Sequence, residues 1–480
     1  MPITCNQVEV SLEVTECTIS PDGHERGALC INGITPGPLI EANWGDTIIV
    51  HLTNSMKVNG TSMHWHGLRQ NYTNQMDGVP ALTQCPLAPG QTQTFTFEAS
   101  SYGFSWYHSH LTLQAYEGAF GPMLIHGPQT QTADADAGSL IVQDWTHVSV
   151  DEMYLDAEMT GVRTMDTGLI NGKNVWGDDG SADQTGQRYT VPTEFVPGQS
   201  YMFNILNSAI QSTYKFYIDG HNMTVISMDY VPIVPYETDV LNVNIGQRYQ
   251  VIVTANQPVG DYWVRFDNQN ACATTTKSDD IKAIIHYSGS AGGLPTSTAY
   301  NYTRKYDPTG AMLGRCEDEL SSNLVPAAAM DVGTESFTVD HSIAVSNSNP
   351  KNLYRWYLDG TTFQANWNDP TLYSVYNNAT LPDYSGNLAI EVPNLGEWVY
   401  IIIESQVPLG HPIHLHGHDL YILASGYGSY DSSVQLNLKN PPRRDVAFMP
   451  GDGPEGQGGY LVIAFFTDNP GVWLLHCSSP

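Results

Sequence analysis

The chain has 480 residues, with 19 Lys plus Arg against 49 Asp plus Glu and a formal net charge of -30 with His neutral. This length exceeds one ordinary core and predicts roughly two to four domains. So acidic a surface repels nucleic acid and anionic membranes, and no apolar run of about 20 residues offers a membrane-crossing helix, so neither is expected as a partner.

Short alternating segments separated by turn residues recur along the chain. Val8 to Thr15 reads as a strand, Asn32-Gly33 and Pro36-Gly37 as turns, and Asp46 to Asn54 as the next strand. Phe95 to Phe97, Phe104 to Tyr107 and Gly121 to His126 continue the pattern. A polar linker is expected over Gln129 to Ser139. A second unit starts at Leu140 to Gln143 and carries strands at Val240 to Ile245, Tyr249 to Thr254 and Tyr262 to Phe266. It closes near His286, before the Gly- and Ser-rich stretch Ser288 to Ser297. A third unit runs from about Val332, with strands at Phe337 to Val339, Trp398 to Glu404 and Leu461 to Phe466. Few segments show a long helical period. The pattern predicts an all-β chain of three Greek-key sandwich or barrel domains.

Of seven cysteines, Cys477 stands apart beside a histidine, and six (Cys5, Cys17, Cys30, Cys85, Cys272 and Cys316) are free to pair in an oxidising compartment. Cys272 with Cys316 is the best local pair, because it clips a loop rich in Gly, Ser and Thr together with Asn301 to Arg315. Sequons at Asn59, Asn71, Asn222, Asn301 and Asn378 point to a secreted glycoprotein, although Met1 to Cys5 lack the features of a signal peptide.

Nine of the 16 histidines fall in four clusters, which scattered structural histidines would not do. In His64-Trp65-His66 and His108-Ser109-His110 the two imidazoles share one face of a strand. In His411-Pro412-Ile413-His414-Leu415-His416-Gly417-His418, three histidines share a parity and His411 has the other, so His411 can serve a different metal. Cys477, next to His476, adds a soft thiolate. Thiolate with imidazole suits electron-transfer copper, and imidazoles alone suit copper that handles oxygen. The second unit has no such cluster, so the first and third are expected to pack together around the metals.

These motifs, with Met76-Asp77-Gly78-Val79, Asn440-Pro441-Pro442-Arg443-Arg444-Asp445-Val446 and Gly471-Val472-Trp473, resemble the three-domain multicopper oxidases, most closely the laccases of filamentous ascomycetes. The resemblance covers essentially the whole chain. It implies three cupredoxin-like domains, placed here at 1–130, 131–300 and 301–480, the second helping to form the substrate cleft. It also implies four coppers, one type 1, one type 2 and a binuclear type 3 pair. By the same resemblance His64 and His414 look like type 2 ligands, His66, His108, His110, His416 and His476 like type 3 ligands, and His411 and Cys477 like type 1 ligands. Asp77, Cys477 and His476 carry the expected catalytic roles, Asp77 in managing protons. His418 looks like an orienting neighbour, and Asp445 with its two arginines like a structural bracket. A small phenolic or related aromatic substrate and O2 are the implied partners of a monomeric, secreted oxidase.

The family pattern is His-Cys-His with further ligands beyond it. Here Ser478 follows Cys477 and the chain ends at Pro480, so an incomplete C-terminus is expected. Cys85 resembles a cysteine bridged to a C-terminal partner and is expected to be free. Gln211 stands where the family often carries a substrate-contacting acid, with Glu194 or Asp219 as alternatives. A specialised-metabolite, metal-ion or ascorbate oxidase, or an inactive copper-binding protein, are the alternative readings.

Overall fold

The structure is a computed structural model that describes residues 4–181, 185–299, 316–378, 389–392, 394–451, 453 and 456–478. The sequon at Asn301 and the stretch to Arg315 lie outside the described residues.

Three two-sheet domains follow one another, and their first sheets repeat one plan. A long strand (Gln7–Ile19, Ala135–Trp145 or Glu335–Ser346) pairs antiparallel with a short neighbour on one side. On its other side it pairs parallel with a later strand, Thr47–Asn54, Ser200–Asn207 or Trp398–Ser405. Parallel neighbours cannot be joined by a hairpin, so the chain crosses to the second sheet and back, as Greek-key sandwiches do. The opposing sheets have four, five and three strands in the first, second and third domains. Each domain has its own apolar core. In the first, Trp65 lies fully buried with its ring 5.3 Å from Phe95 and 5.0 Å from Phe97. Phe104, Trp106, Phe120 and Leu124 of the first domain join Ile141 and Leu206 of the second in a further cluster at their junction.

Four features differ from the sequence expectation. The linker expected over Gln129 to Ser139 is strand from Ala135 onward, because this polar stretch pairs with Ser200–Asn207. Val150–Thr160 is a helix, begun by Ser149, whose side chain accepts from the Glu152 amide. The Ser-x-x-Glu spacing is a helix-start signal that the weakly amphipathic sequence following it concealed. Thr371–Asn378 forms a second short helix. The segment from Cys316 also packs on the second domain, although the 301–480 range groups it with the third. Val234 and Ala327 amides bond across this contact, and Leu324 enters the second core.

Cys17 pairs with Cys30 and Cys272 with Cys316, while Cys5 and Cys85 are exposed and unbridged. The second disulfide spans 44 residues. Removing so long a clip frees the unfolded chain, so Cys316→Ser should lower stability by about 2–5 kcal/mol. Thermal unfolding of the oxidised protein checks this, and an unchanged Tm would contradict it.

Candidate metal centre

Two small sheet corners, one from the first domain and one from the third, meet face to face. In the first domain His64–Trp65 pairs antiparallel with Gly103–His108, setting His64 opposite His108. Trp65 points into the core and donates to the Met76 carbonyl at 3.1 Å, so strand alternation turns His64 and His66 the other way. Tyr107 does the same for the second motif, with its hydroxyl donating to the Pro38 carbonyl at 2.6 Å. Gly78, at φ 76°, passes under the Met63 carbonyl where any Cβ would collide, and this holds Asp77 against His64.

In the third domain His411–Leu415 pairs antiparallel with Leu475–Cys477, with Ile413 opposite Cys477 and His414 opposite His476. His414 and His476 therefore share one face, and His411 and Cys477 the other. The Cys477 sulfur lies 3.7 Å from His411 Nδ1, while His476 Nε2 lies 3.3 Å from His416 Nε2. Across the domain junction His66 stacks on His414 at 3.9 Å, and His64 lies 4.0 Å from His416. Three sets of donor atoms, each within 4.8 Å of one another, result: His64, His66 and His414; His110, His416 and His476; and His64, Asp77 and His416.

Hydrogen bonds orient the rings. His64 Nδ1 donates to the Asp77 carbonyl at 2.9 Å, and His414 Nδ1 to the Asp445 carbonyl at 2.7 Å. Both Nε2 atoms are left buried without a hydrogen-bond partner. His108 and His476 donate through Nδ1 to the carbonyls of Ser109 and Cys477, and His416 to Asp77 Oδ2 at 2.9 Å. Such outer bonds fix the tautomer and aim a lone pair inward. Burial holds His411 and His476 down at about 4 and His414 at about 3, and keeps His66, His108, His110 and His416 well below the ordinary range. Converging neutral imidazoles with orphaned lone pairs, and a thiol beside a separate imidazole, form a donor set that fits copper.

All nine proposed metal-binding residues come to this junction, in a group of seven imidazoles and a His411–Cys477 pair. His418 lies beside them, and its Nδ1 donates to the His416 carbonyl at 3.2 Å. Asp445 is more than a bracket, since its Oδ1 lies 3.2 Å from His66 Nε2. Asp219 is buried in a two-pronged pair with Arg265 at 2.8 and 2.9 Å, which commits its carboxylate. The Gln211 amide donates to the Arg163 carbonyl at 2.7 Å, and Glu194 is exposed. Sequence reasoning missed Trp356, whose ring stands edge-on 5.3 Å from His411, and the fully buried Arg248 and Asp229 of the second domain. A lone arginine opening the strand Arg248–Thr254, in a chain poor in cations, was the available signal for Arg248.

Because burial holds His66, His108, His110, His411, His414, His416 and His476 below the ordinary imidazole value of about 6.5, protons should compete with copper there only at low pH. Copper retained per chain after dialysis should stay level from pH 7 to about 5 and fall as the pH passes below about 4. A release midpoint near 6.5 would contradict the neutral-imidazole site.

Three multicopper oxidase family profiles match the chain, at residues 13–130, 136–290 and 350–479. Laccase-2 of Botryotinia fuckeliana is 41% identical over 480 residues, spanning 98% of this chain and 79% of that protein. Oxidoreductase OpS5 of Beauveria bassiana is 41% identical over 97% of this chain and 77% of its own length. The crystal structure of the laccase of Botrytis aclada superposes with a TM-score of 0.88 at 40% identity, covering 99% of this chain and 86% of that one. The chain belongs to the multicopper oxidase family and is a laccase-type copper oxidoreductase closely related to the laccases of ascomycete fungi.

Proposed function

We propose that the chain couples one-electron oxidation of small phenolic or related aromatic substrates to four-electron reduction of O2 to water. In this reading His411 and Cys477 hold the type 1 copper, and His64 and His414 the type 2 copper through their orphaned Nε2 atoms. His110, His416 and His476 hold one copper of the type 3 pair. His66 and His108 hold the other, with Ser478, whose buried Oγ has no hydrogen-bond partner, at the position of the third imidazole. The copper supplies single-electron oxidation at one end and multi-electron reduction of O2 at the other.

The observation that carries the reading is the register of Leu475–Cys477 on His411–Leu415. It turns Cys477 toward His411 and His476 toward His416, so one peptide bond links the thiolate to the imidazole cluster. Half-buried Trp356 gives an aromatic donor a flat surface beside His411, which itself is only 4% exposed. Asp77 is buried, touches His416 through Oδ2, and keeps Oδ1 without a hydrogen-bond partner. That oxygen lies 3.2 Å from His64 Nδ1 inside the imidazole cluster, where a carboxylate is placed to pass a proton as O2 is reduced. Two disulfides and the exposed sequon asparagines Asn59, Asn71 and Asn222 support secretion. Among the described residues no helix is long and apolar enough to cross a membrane. One chain assembles every proposed ligand, which supports a working monomer.

Two variants separate the two ends of the reaction. Cys477→Ser should abolish the thiolate-to-copper visible absorption and bring substrate oxidation to background, while copper bound at the imidazole cluster persists. Retained colour would contradict the type 1 assignment. Asp77→Asn should keep the colour and its anaerobic bleaching by substrate, yet slow reoxidation by O2 by roughly 10²-fold or more. Stopped-flow absorbance measures both steps, and reoxidation at the wild-type rate would remove Asp77 from proton delivery.

A further inference from the structure

Five of the seven clustered imidazoles (His64, His108, His414, His416 and His476) donate outward through Nδ1, but His66 is reversed. Its Nε2 faces Asp445 Oδ1 at 3.2 Å, and its Nδ1 faces inward, 3.4 Å from His108 Nε2. A carboxylate only accepts, so this contact places the proton on Nε2 and leaves the Nδ1 lone pair for a metal. The same residue also anchors His414, the ring stacked on His66, through its main-chain carbonyl.

Asp445 is gripped from the domain that supplies no metal ligand. Arg248 Nη1 and Nη2 meet its two oxygens at 2.5 Å each. Arg248 is itself fixed, with Nη1 donating to the Gly246 carbonyl at 3.0 Å and Nε to the first-domain Phe104 carbonyl at 3.4 Å. Asp229 accepts from the Arg248 amide at 2.9 Å, from the amides of Asp445 and Val446 at 3.2 and 3.3 Å, and from the Arg444 guanidinium at 3.0 Å. Space is reserved for the pair. Gly67, directly after His66, sits at φ 80°, and a Cβ there would collide with Asp445 Oδ2 and come within 2.6 Å of Arg248 Nη2.

We propose that Asp445, held by Arg248 of the second domain, is a positioning residue that selects the tautomer of His66 and so completes the His66–His108 half of the type 3 pair. The proposal rests on the reading of His66, His108 and His414 as copper ligands. Arg248 donates to both Asp445 oxygens, which keeps them in the accepting role that His66 requires. An amide at this position cannot satisfy the arrangement, because its NH2 would oppose one guanidinium nitrogen or turn toward His66 Nε2 and favour the wrong tautomer.

The test uses the copper-loaded full chain of wild type, Asp445→Asn, Arg248→Lys and the control Asp219→Asn. The control breaks another two-pronged Asp–Arg pair, Asp219 with Arg265, among residues given no metal role. Copper per chain, the visible absorption and the electron paramagnetic resonance spectrum are read together with Tm. Asp445→Asn should lose about one copper per chain and expose a new signal from the uncoupled partner. The Cys477 absorption and the type 2 signal should persist, since His414 is held by a backbone carbonyl that the variant retains. Arg248→Lys should show the same defect in part, and carries the test if Asp445→Asn does not fold. Asp219→Asn should lower Tm with copper unchanged. If Asp445→Asn and Arg248→Lys lower Tm but leave copper content and spectrum as in wild type, the proposal is overturned while the ligand assignment stands. A wild type without a spin-coupled pair would overturn the ligand assignment, and this proposal with it.

Discussion

In an extended strand neighbouring side chains point to opposite faces, and the copper site depends on that constraint at three places. Trp65 and Tyr107 are driven into the first core, which forces the histidines beside them toward the domain junction. In Leu475–Cys477 the same alternation separates a thiol from the imidazole next to it. Only the antiparallel register with His411–Leu415 gives the separation its meaning, since a slip of one residue would exchange the two faces.

Burying these imidazoles has a cost that the surroundings offset. A buried polar ring needs a partner for its outward N–H, and most of the carbonyls used belong to residues the strands and loops already fix: Asp77, Ser109, Asp445 and Cys477. The junction behind them holds four buried charges that cancel, Arg248 and Arg444 against Asp229 and Asp445. Although burial pushes the Asp445 carboxyl up, Arg248 holds it below the ordinary range. Breaking such a pair on one side typically costs about 3–5 kcal/mol, so the network joins the domains and cannot be removed piecemeal. The second domain, without a histidine cluster of its own, thereby acts at the metal site through two side chains.

The strands and the proposed ligands were legible because both depend on short-range periodicity. His-x-His at one parity, and His476 next to Cys477, state their geometry once a strand is assumed. Contacts set by distant packing were not legible. Arg248 and Asp445 are 197 residues apart, and nothing local in either marks the other. Trp356 lies far from His411 in sequence and reads as an ordinary strand aromatic. The helix Val150–Thr160 was missed for the opposite reason: its start signal is local, but its apolar face is too weak to reveal a period. Asp219 stood as an alternative to Gln211 near the substrate-contacting position, and its buried pairing with Arg265 commits that carboxylate elsewhere.

Copper should occupy two distinct places, one beside Cys477 and His411 and one among the imidazoles between the first and third domains. Anomalous diffraction at the copper edge from crystals of the copper-loaded protein locates both. One peak is expected beside the Cys477 sulfur and His411 Nδ1, another between His64 Nε2 and His414 Nε2, and a pair bounded by His66 and His108 on one side and His110, His416 and His476 on the other. Copper absent from Cys477, or bound away from these rings, would contradict this placement.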